Sequence, residues 1–374
     1  MEALPYCMKA LPIAILPLTD FHAILSSMEA ESRKRKRIVT ITDVARHAGV
    51  GVSTVSRAMN GAKNILEETR ARVAKSAKLL GYVPNVSAQN LAGSRVIRLG
   101  VLCGNPSSNY TGQFLLTLLE QSRHNNCQLI VQQCNGVKDE LPSLDSLLQG
   151  GVDGVLLPAP LCDSVAINSR LEAVGLPVVG IGTTGEASQA LSVFIDNVAA
   201  TRRVTRHLLS LGHRDFGFIM GSAKQLDSAR RFEGFEEAVH ESGLKVRPEW
   251  VIRGNYTYLS GIKAAQSLLG RKQRPTAILA SNDDMAAATI AVAHRLNIEV
   301  PRDLSVTGFD DTPIATAVWP TLTTVRQPMS KMTSVALGLI GEEVRLRRVG
   351  KTLGPQRHCL ASILVERDSS ARRQ

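Results

Sequence analysis

No two of the six cysteines are spaced as CxxC, and no histidine completes a metal-binding spacing with any of them. Cys7, Cys103, Cys127, Cys134, Cys162 and Cys359 are scattered, which excludes a structural zinc and a disulfide framework as the organising feature of a 374-residue chain. Free thiols in a reducing compartment are expected instead. The chain also lacks a GxxxxGK[ST] loop to cradle phosphates, an HExxH pair to hold a metal, and a GxSxG elbow to present a nucleophile. Asp283–Asp284 and Asp310–Asp311 are adjacent acids, and neighbouring residues point in different directions, so neither makes a two-carboxylate catalytic site. No enzymatic activity, cofactor or metal is expected.

A long hydrophobic run is missing as well. Leu11 to Leu25 is apolar but broken by Pro12, Pro17, Asp20 and His22, too short and interrupted to span a bilayer. Only Lys9 is basic ahead of it and no clear small-residue cleavage site follows, which argues against a signal peptide and for a cytoplasmic chain. The sequons at Asn85, Asn109 and Asn255 then carry no meaning. Met28 opens the run MEAESRKRKRIVT, and translation is expected to start there, with residues 1–37 a disordered or mis-assigned extension.

What the chain does have is an uneven charge. Of its net +11, residues 31–98 supply fourteen Lys and Arg against four Asp and Glu. Residues 99–374 hold 29 basic and 26 acidic residues, close to neutral. A localised basic block beside a neutral body points to a polyanion-binding module joined to something that does other work.

Within the block, Ile41–Asn60 reads as two short helices around a glycine turn. Val44, Ala45 and Ala48 give the first helix one apolar edge, and Gly49 can take the positive φ that ends it. Val55, Ala58 and Met59 point inward from the second helix, which leaves Val52, Ser53, Ser56 and Arg57 on the outer side. A third helix over Glu67–Leu80 turns Val73, Ala77 and Leu80 to one face. An exposed second helix with an arginine suits insertion into a major groove, where Arg makes a bidentate contact with guanine.

VTITDVARHAGVGVSTVSRAMN, then GYVPNVSAQNLAG and RLGVL, resemble the lac-repressor (LacI/GalR) family of transcription regulators, and the resemblance runs from about Val39 to about residue 366. It implies that Val52, Ser53 and Arg57 read bases. It also implies that Thr40, Ile41, Thr54, Ser56, Asn60, Asn64, Tyr82 and Asn85 mostly position the protein on phosphates. Asn85 to Leu91, with Ala88 between them, would form a hinge that becomes helical on DNA, with Leu91 wedged into a minor-groove step. An apolar wedge kinks the duplex and gains wrapped surface, which gives that role a physical basis. Two departures stand out: Gly51 and Leu66 occupy helix N-cap positions where the family usually carries Ser. An apolar residue there costs about 1 kcal/mol, and Gly only a few tenths.

From Arg98 onward, short β-branched runs alternate with amphipathic stretches. Strands are predicted at Leu99–Leu102, Gln128–Val131, Gly154–Leu157, Pro177–Ile181, Phe216–Ile219, Ala277–Ala280 and Leu304–Thr307. Helices are predicted at Gly112–Asn125, Ala199–Leu211, Ser228–Ser242, Tyr258–Leu269 and Asp283–Leu296. Repeated βα units imply parallel sheets. The fold expected is therefore α/β: an all-helical helix-turn-helix headpiece plus a two-lobed, periplasmic-binding-protein-like (type I) effector domain, with ligand between the lobes. The boundaries expected are 38–84 for the headpiece, 85–97 for hinge and linker, 98–366 for effector binding and dimerisation, and 367–374 for a tail.

The motifs VFIDN, SARRFEGF, ASNDDMAAA and VPRDLSVTGFDDTPIA carry the resemblance through the body. It implies that Arg231, Asn282 and Asp310 hydrogen-bond the effector, that Tyr256 stacks on it, and that Tyr110 and Phe194 line the pocket. Each has a plainer alternative: Asp310 and Asn282 as helix caps, Arg231 as a surface ion pair, Tyr256 as core. After PVVGI, where the family often carries an acid, this chain has Gly182, Thr183 and Thr184. The function implied is a homodimeric repressor of carbohydrate-utilisation genes, released from a pseudo-palindromic DNA operator by a sugar or sugar derivative. The alternatives are a regulator co-repressed by a purine-like ligand and, from another class, a sugar-binding receptor.

Overall fold

The computed structural model describes residues 39–59, 65–82, 96–182, 190–223 and 225–373. The chain divides into two compact units that join in sequence at Arg95 and Val96. The expected extension, 1–37, lies outside the described residues, as does nearly all of the expected hinge.

The first unit is three helices: α1 (Ile41–Ala48), α2 (Val52–Met59) and α3 (Glu67–Leu80). Thr40 starts α1 through a capping box, its hydroxyl accepting from the Asp43 N–H at 3.4 Å while the Asp43 carboxylate accepts from the Thr40 N–H at 2.9 Å. Gly49 ends it at φ 64, a left-handed conformation open to a residue without Cβ. Val44, Ala45, Ala48, Val55, Ala58, Val73 and Ala77 form the core, with Met59 and Leu80 packed around it. Four of these are alanines, which lets three short helices cross closely. α3 begins at an exposed Leu66 with no side-chain cap, and only Glu67 and Glu68 in its first turn complement the dipole.

The second unit holds two lobes. In the first, β1 (Ile97–Cys103), β2 (Cys127–Gln133), β3 (Gly154–Pro158), β4 (Val178–Ile181) and β5 (Leu191–Ile195) alternate with α4 (Ser108–His124), α5 (Glu140–Gln149) and α6 (Val165–Val174). In the second, α7 (Asn197–Ser210), β6 (Phe216–Met220), α8 (Leu226–Glu241), β7 (Val251–Arg253), α9 (Tyr258–Leu269), β8 (Ala277–Ala280), α10 (Asp283–Arg295) and β9 (Ser305–Thr307) follow. The short α11 (Ile314–Ala317) and β10 (Thr324–Arg326) come next. The chain then re-enters the first lobe through α12 (Met329–Arg347) and β11 (Gln356–Leu360), and leaves it through β12 (Ile363–Val365).

The first sheet runs β11-β5-β4-β3-β1-β2 and the second β7-β6-β8-β9, every pairing parallel. β10 and β12 pair antiparallel. Parallel strands are covered on both faces, which is why β1, β3 and β8 read as nearly unbroken apolar runs. Ile340 of α12 packs on the first sheet, and Phe218, Phe232 and Phe235 lock α8 to β6 with ring centroids 4.8–6.0 Å apart.

All the predicted strands and helices of the body are present. Residues 367–373, expected as a tail, are instead tied into the second lobe. Ser369 accepts from the Val306 N–H at 2.8 Å and donates to Thr321 at 2.9 Å, and the Arg373 N–H donates to Leu211 at 2.8 Å. No helix among the described residues is long and apolar enough to cross a membrane.

Candidate DNA-reading helix and effector cleft

On the first unit, Val52, Ser53 and Arg57 are exposed along the outer side of α2, with Thr54 and Ser56 half-buried beside them. This surface follows from the inward turn of Val55 and Ala58. Thr40 is not a free hydroxyl: it donates to the Asp43 carboxylate at 2.7 Å. Ile41 and Tyr82 rest their side chains on the helical core, so what Ile41 can offer a phosphate is its backbone N–H at a helix start. Asn60, Asn64, Asn85, Ala88 and Leu91 lie outside the described residues.

In the second unit, the carboxyl ends of the strands of both lobes face one cleft, and it gathers Tyr110, Arg231, Tyr256, Asn282 and Asp310. Arg231 projects from α8 and is almost wholly buried. Its Nε donates to Asn197 Oδ1 at 2.9 Å, Nη1 donates to the Ser281 carbonyl, and Nη2 lies 3.5 Å from Asp310 Oδ1. The guanidinium also stacks 3.7 Å from the Phe309 ring centroid. Asp310 sits at φ 109, an unusual conformation for a residue with a Cβ, and accepts from Gln327 Nε2 at 2.7 Å.

Asn282 caps α10, accepting from the Met285 N–H at 3.1 Å, and its amide donates to the Tyr256 carbonyl at 2.9 Å. The plainer alternative for Asn282 therefore holds together with its place in the cleft. Tyr256 adopts φ 69 and lays its ring over Gly221. The Tyr256 hydroxyl and the buried Ser228 hydroxyl have no hydrogen-bond partner among the described residues.

Phe194 is not in this cleft. Val193 and Ile195 point into the core, so strand alternation sends Phe194 to the other face, where Arg357 lies 5.5 Å from its ring centroid.

Sequence reasoning missed Asp227. It lies one helical turn before Arg231 on α8, and Asn197 bridges the two, donating to Asp227 Oδ1 at 3.2 Å. The i, i+4 spacing of an acid and an arginine in LDSARRF was a readable signal. Gly182 (φ 101) is adjacent: a Cβ there would be 3.9 Å from Asp227 Oδ2. The acceptor absent after PVVGI is thus supplied at the same place by α8 of the other lobe.

One guanidinium faces two buried carboxylates. Burial, with Asp163 and Asp310 adding and Arg231 opposing, pushes Asp227 up to about 7. Burial, with Arg231 and Gln327 opposing and Asp284 adding, pushes Asp310 up to about 6. Burial likewise raises the Tyr110 phenol. The four adjacent acids diverge as expected. Asp283 accepts from Thr312 and Thr324, and Asp284 from Ser107 and Asn109 of the opposite lobe. Asp310 faces Arg231 and Gln327, and Asp311 pairs with Arg326 and Arg367. The inner pocket has about 20 Å³ open to water centres, room for about one water.

Comparison with known proteins agrees with both units. Residues 40–85 match the family described as bacterial regulatory proteins, lacI family, and residues 205–370 match the periplasmic binding protein-like domain. Catabolite control protein A of Priestia megaterium is 32% identical over 317 residues, 84% of this chain and 95% of that protein. The HTH-type transcriptional regulator GalS of Salmonella typhimurium is 33% identical over 340 residues, 90% of this chain and 98% of that one. Among solved structures, the lac repressor dimer bound to operator and the anti-inducer ONPF aligns with a TM-score of 0.77 at 25% identity, covering 90% of this chain and 100% of that one. The transcriptional regulator CelR–cellobiose complex aligns with a TM-score of 0.67 at 28% identity, covering 88% and 99%.

Proposed function

The chain belongs to the lacI family of bacterial regulatory proteins, and we propose that it acts as a homodimeric, sugar-released repressor in the cytoplasm. In this reading residues 38–84 bind the operator, residues 85–97 form the hinge, and residues 98–366 bind effector and dimerise. Val52, Ser53 and Arg57 read base edges in the major groove, while the N-terminus of α2, with Thr54 and Ser56, holds phosphates. Two headpieces read the half-sites of a pseudo-palindrome, because protein two-fold symmetry is mirrored in the site. The lac repressor structure cited above, a dimer on its operator, supports that arrangement.

The observation that carries the effector half is the convergence of Arg231, Asp310, Asn282 and Asp227 in one cleft. Arg donates, Asn donates and accepts, and the two carboxylates accept, which suits the paired hydroxyls of a polyol. The effector releases DNA only by as much as it prefers the lobe arrangement that does not support the hinge. The relatives are transcriptional regulators, and this chain is read as a regulator without enzymatic activity.

Fluorescence anisotropy on an operator selected from random pseudo-palindromes tests both halves. Arg57→Ala should lose about 5- to 150-fold in specific affinity and keep weak, salt-sensitive binding. Arg231→Ala should hold the operator and no longer release it with sugar. Unchanged operator affinity in the first, or full release in the second, would overturn the corresponding assignment.

A further inference from the structure

We propose that the effector is an uncharged glycoside of at least two units, its hydroxylated head between Asp227, Arg231 and Asp310 and its remainder in a groove of about 1130 Å³ that opens from the same cleft. This deepens the reading of the cleft as the effector site and rests on it. Asn105 and Gln225 line both the inner pocket and the groove, so the two spaces are continuous. The groove runs over the carboxyl ends of β1 and β2, with Ser222, Gln225 and Asn255 of the second lobe on its far rim.

Size and surface separate a two-unit ligand from a single sugar. The inner pocket is small and its arginine already has partners on Nε, Nη1 and Nη2. Outside it, the groove wall carries Leu115 with Val131 and Val137, which are 46% and 58% exposed. A solitary monosaccharide in the inner pocket leaves that aliphatic wall wet. A second ring or an aglycone covers it and gains the burial.

Charge narrows the class further. Arg231 is the single cation among the described lining residues of both spaces, and it already faces Asp310 and Asp227. Glu140 and Asp163 add negative charge along the groove. A sugar phosphate brought here would be desolvated among carboxylates with no free counter-charge. Hydroxyl groups donate to those same carboxylates.

The test is operator release and thermal shift of the full chain with matched probes: glucose, cellobiose, maltose, phenyl glucoside and glucose 6-phosphate, and galactose with lactose. We expect at least one disaccharide or phenyl glycoside to act at a tenfold or lower concentration than its parent sugar, and the phosphate to be inert. Gly112→Phe, at a helical position where a Cβ meets nothing within 4 Å, and Val137→Trp, at an exposed one, should each erase that advantage by filling the groove. A monosaccharide that acts as well as its glycosides, or a phosphate that acts better, overturns the proposal while leaving the effector reading intact. So do groove variants that change sedimentation but not selectivity, since the groove would then be a contact between subunits. If no probe shifts or releases the protein, the effector reading itself fails and the proposal with it.

Discussion

The Ser107 hydroxyl of one lobe donates to the Asp284 carboxylate of the other, and the Asn109 amide donates to the same carboxylate. Both donors stand at the start of α4, which Ser107 caps by accepting from the Tyr110 N–H at 3.1 Å. Asp284 itself lies in the first turn of α10, so one carboxylate sits at the positive ends of two helices. This contact holds the lobes together over a pocket too small for a sugar. Asp284→Ala removes the acceptor and shifts the lobes toward separation. Its radius of gyration should rise in the absence of effector, and effector should release operator at a concentration roughly 5- to 30-fold lower, the equivalent of about 1–2 kcal/mol for charge-assisted bonds. An unchanged radius and midpoint would mean that other contacts set the closure.

Gly221 and Tyr256 are matched in a comparable way. A Cβ at Gly221 would fall inside the Tyr256 ring, so this glycine is what lets the ring lie along the cleft. Gly221→Ala should displace the ring and cost about 1–3 kcal/mol of stability in the effector unit, the usual range for overpacking. Operator affinity should persist and effector release should weaken. Release at the wild-type midpoint would remove Tyr256 from the effector contacts.

These two relationships show what could and could not be read from the sequence. The headpiece was legible because short helices with a single apolar edge place each residue by local spacing, and Val44, Ala45, Val55 and Val73 are buried as spacing requires. The body strands were legible because both faces of a parallel sheet are covered, leaving apolar runs bounded by turns. Asp284 and Ser107, 177 positions apart, were not, because nothing local to either says that the other faces it. Phe194 was misplaced for a related reason. An aromatic at a strand end is equally at home on either face until its neighbours Val193 and Ile195 claim the core. β11 was missed because it joins the first sheet only after α12 has carried the chain back to the first lobe.

The burial of Asp227 gives a dependence on pH. Its carboxyl titrates at about 7 in the folded chain, against about 3.9 when unfolded. Between these values the folded form holds a proton that the unfolded form has lost, so this group costs nothing below about pH 4. Its cost accrues as pH rises through the window and is complete above about 7. Asp227→Asn keeps an acceptor for Asn197 and abolishes the titration. The variant should match wild type near pH 4 and exceed it in melting temperature by pH 8, by an amount on the order of a few kcal/mol at most. His213, whose burial lowers its own pKa, titrates in both proteins and cancels in the difference. A stability difference constant from pH 4 to pH 8 would show that Asp227 does not titrate in that window.

The helix caps offer a prediction confined to the DNA-binding unit. Leu66 precedes α3 in an extended conformation, 78% exposed, and makes no side-chain bond to the first-turn N–H groups. Thr40 shows what such a position can do, since its hydroxyl and the Asp43 carboxylate close both ends of a capping box. Leu66→Ser gives α3 the missing acceptor and surrenders no core packing. It should stabilise the headpiece by about 1 kcal/mol, which in a unit this small raises its unfolding transition by roughly 4–8 °C. Gly51→Ser, where a Cβ meets only Ser53 and Thr54 side chains at 3.8 and 3.9 Å, should add a few tenths of a kcal/mol. Calorimetry of the full chain resolves the effect: the headpiece transition should move and the effector-unit transition should not. If Leu66→Ser lowers the first transition, the exposed leucine has a packing role that outweighs the cap.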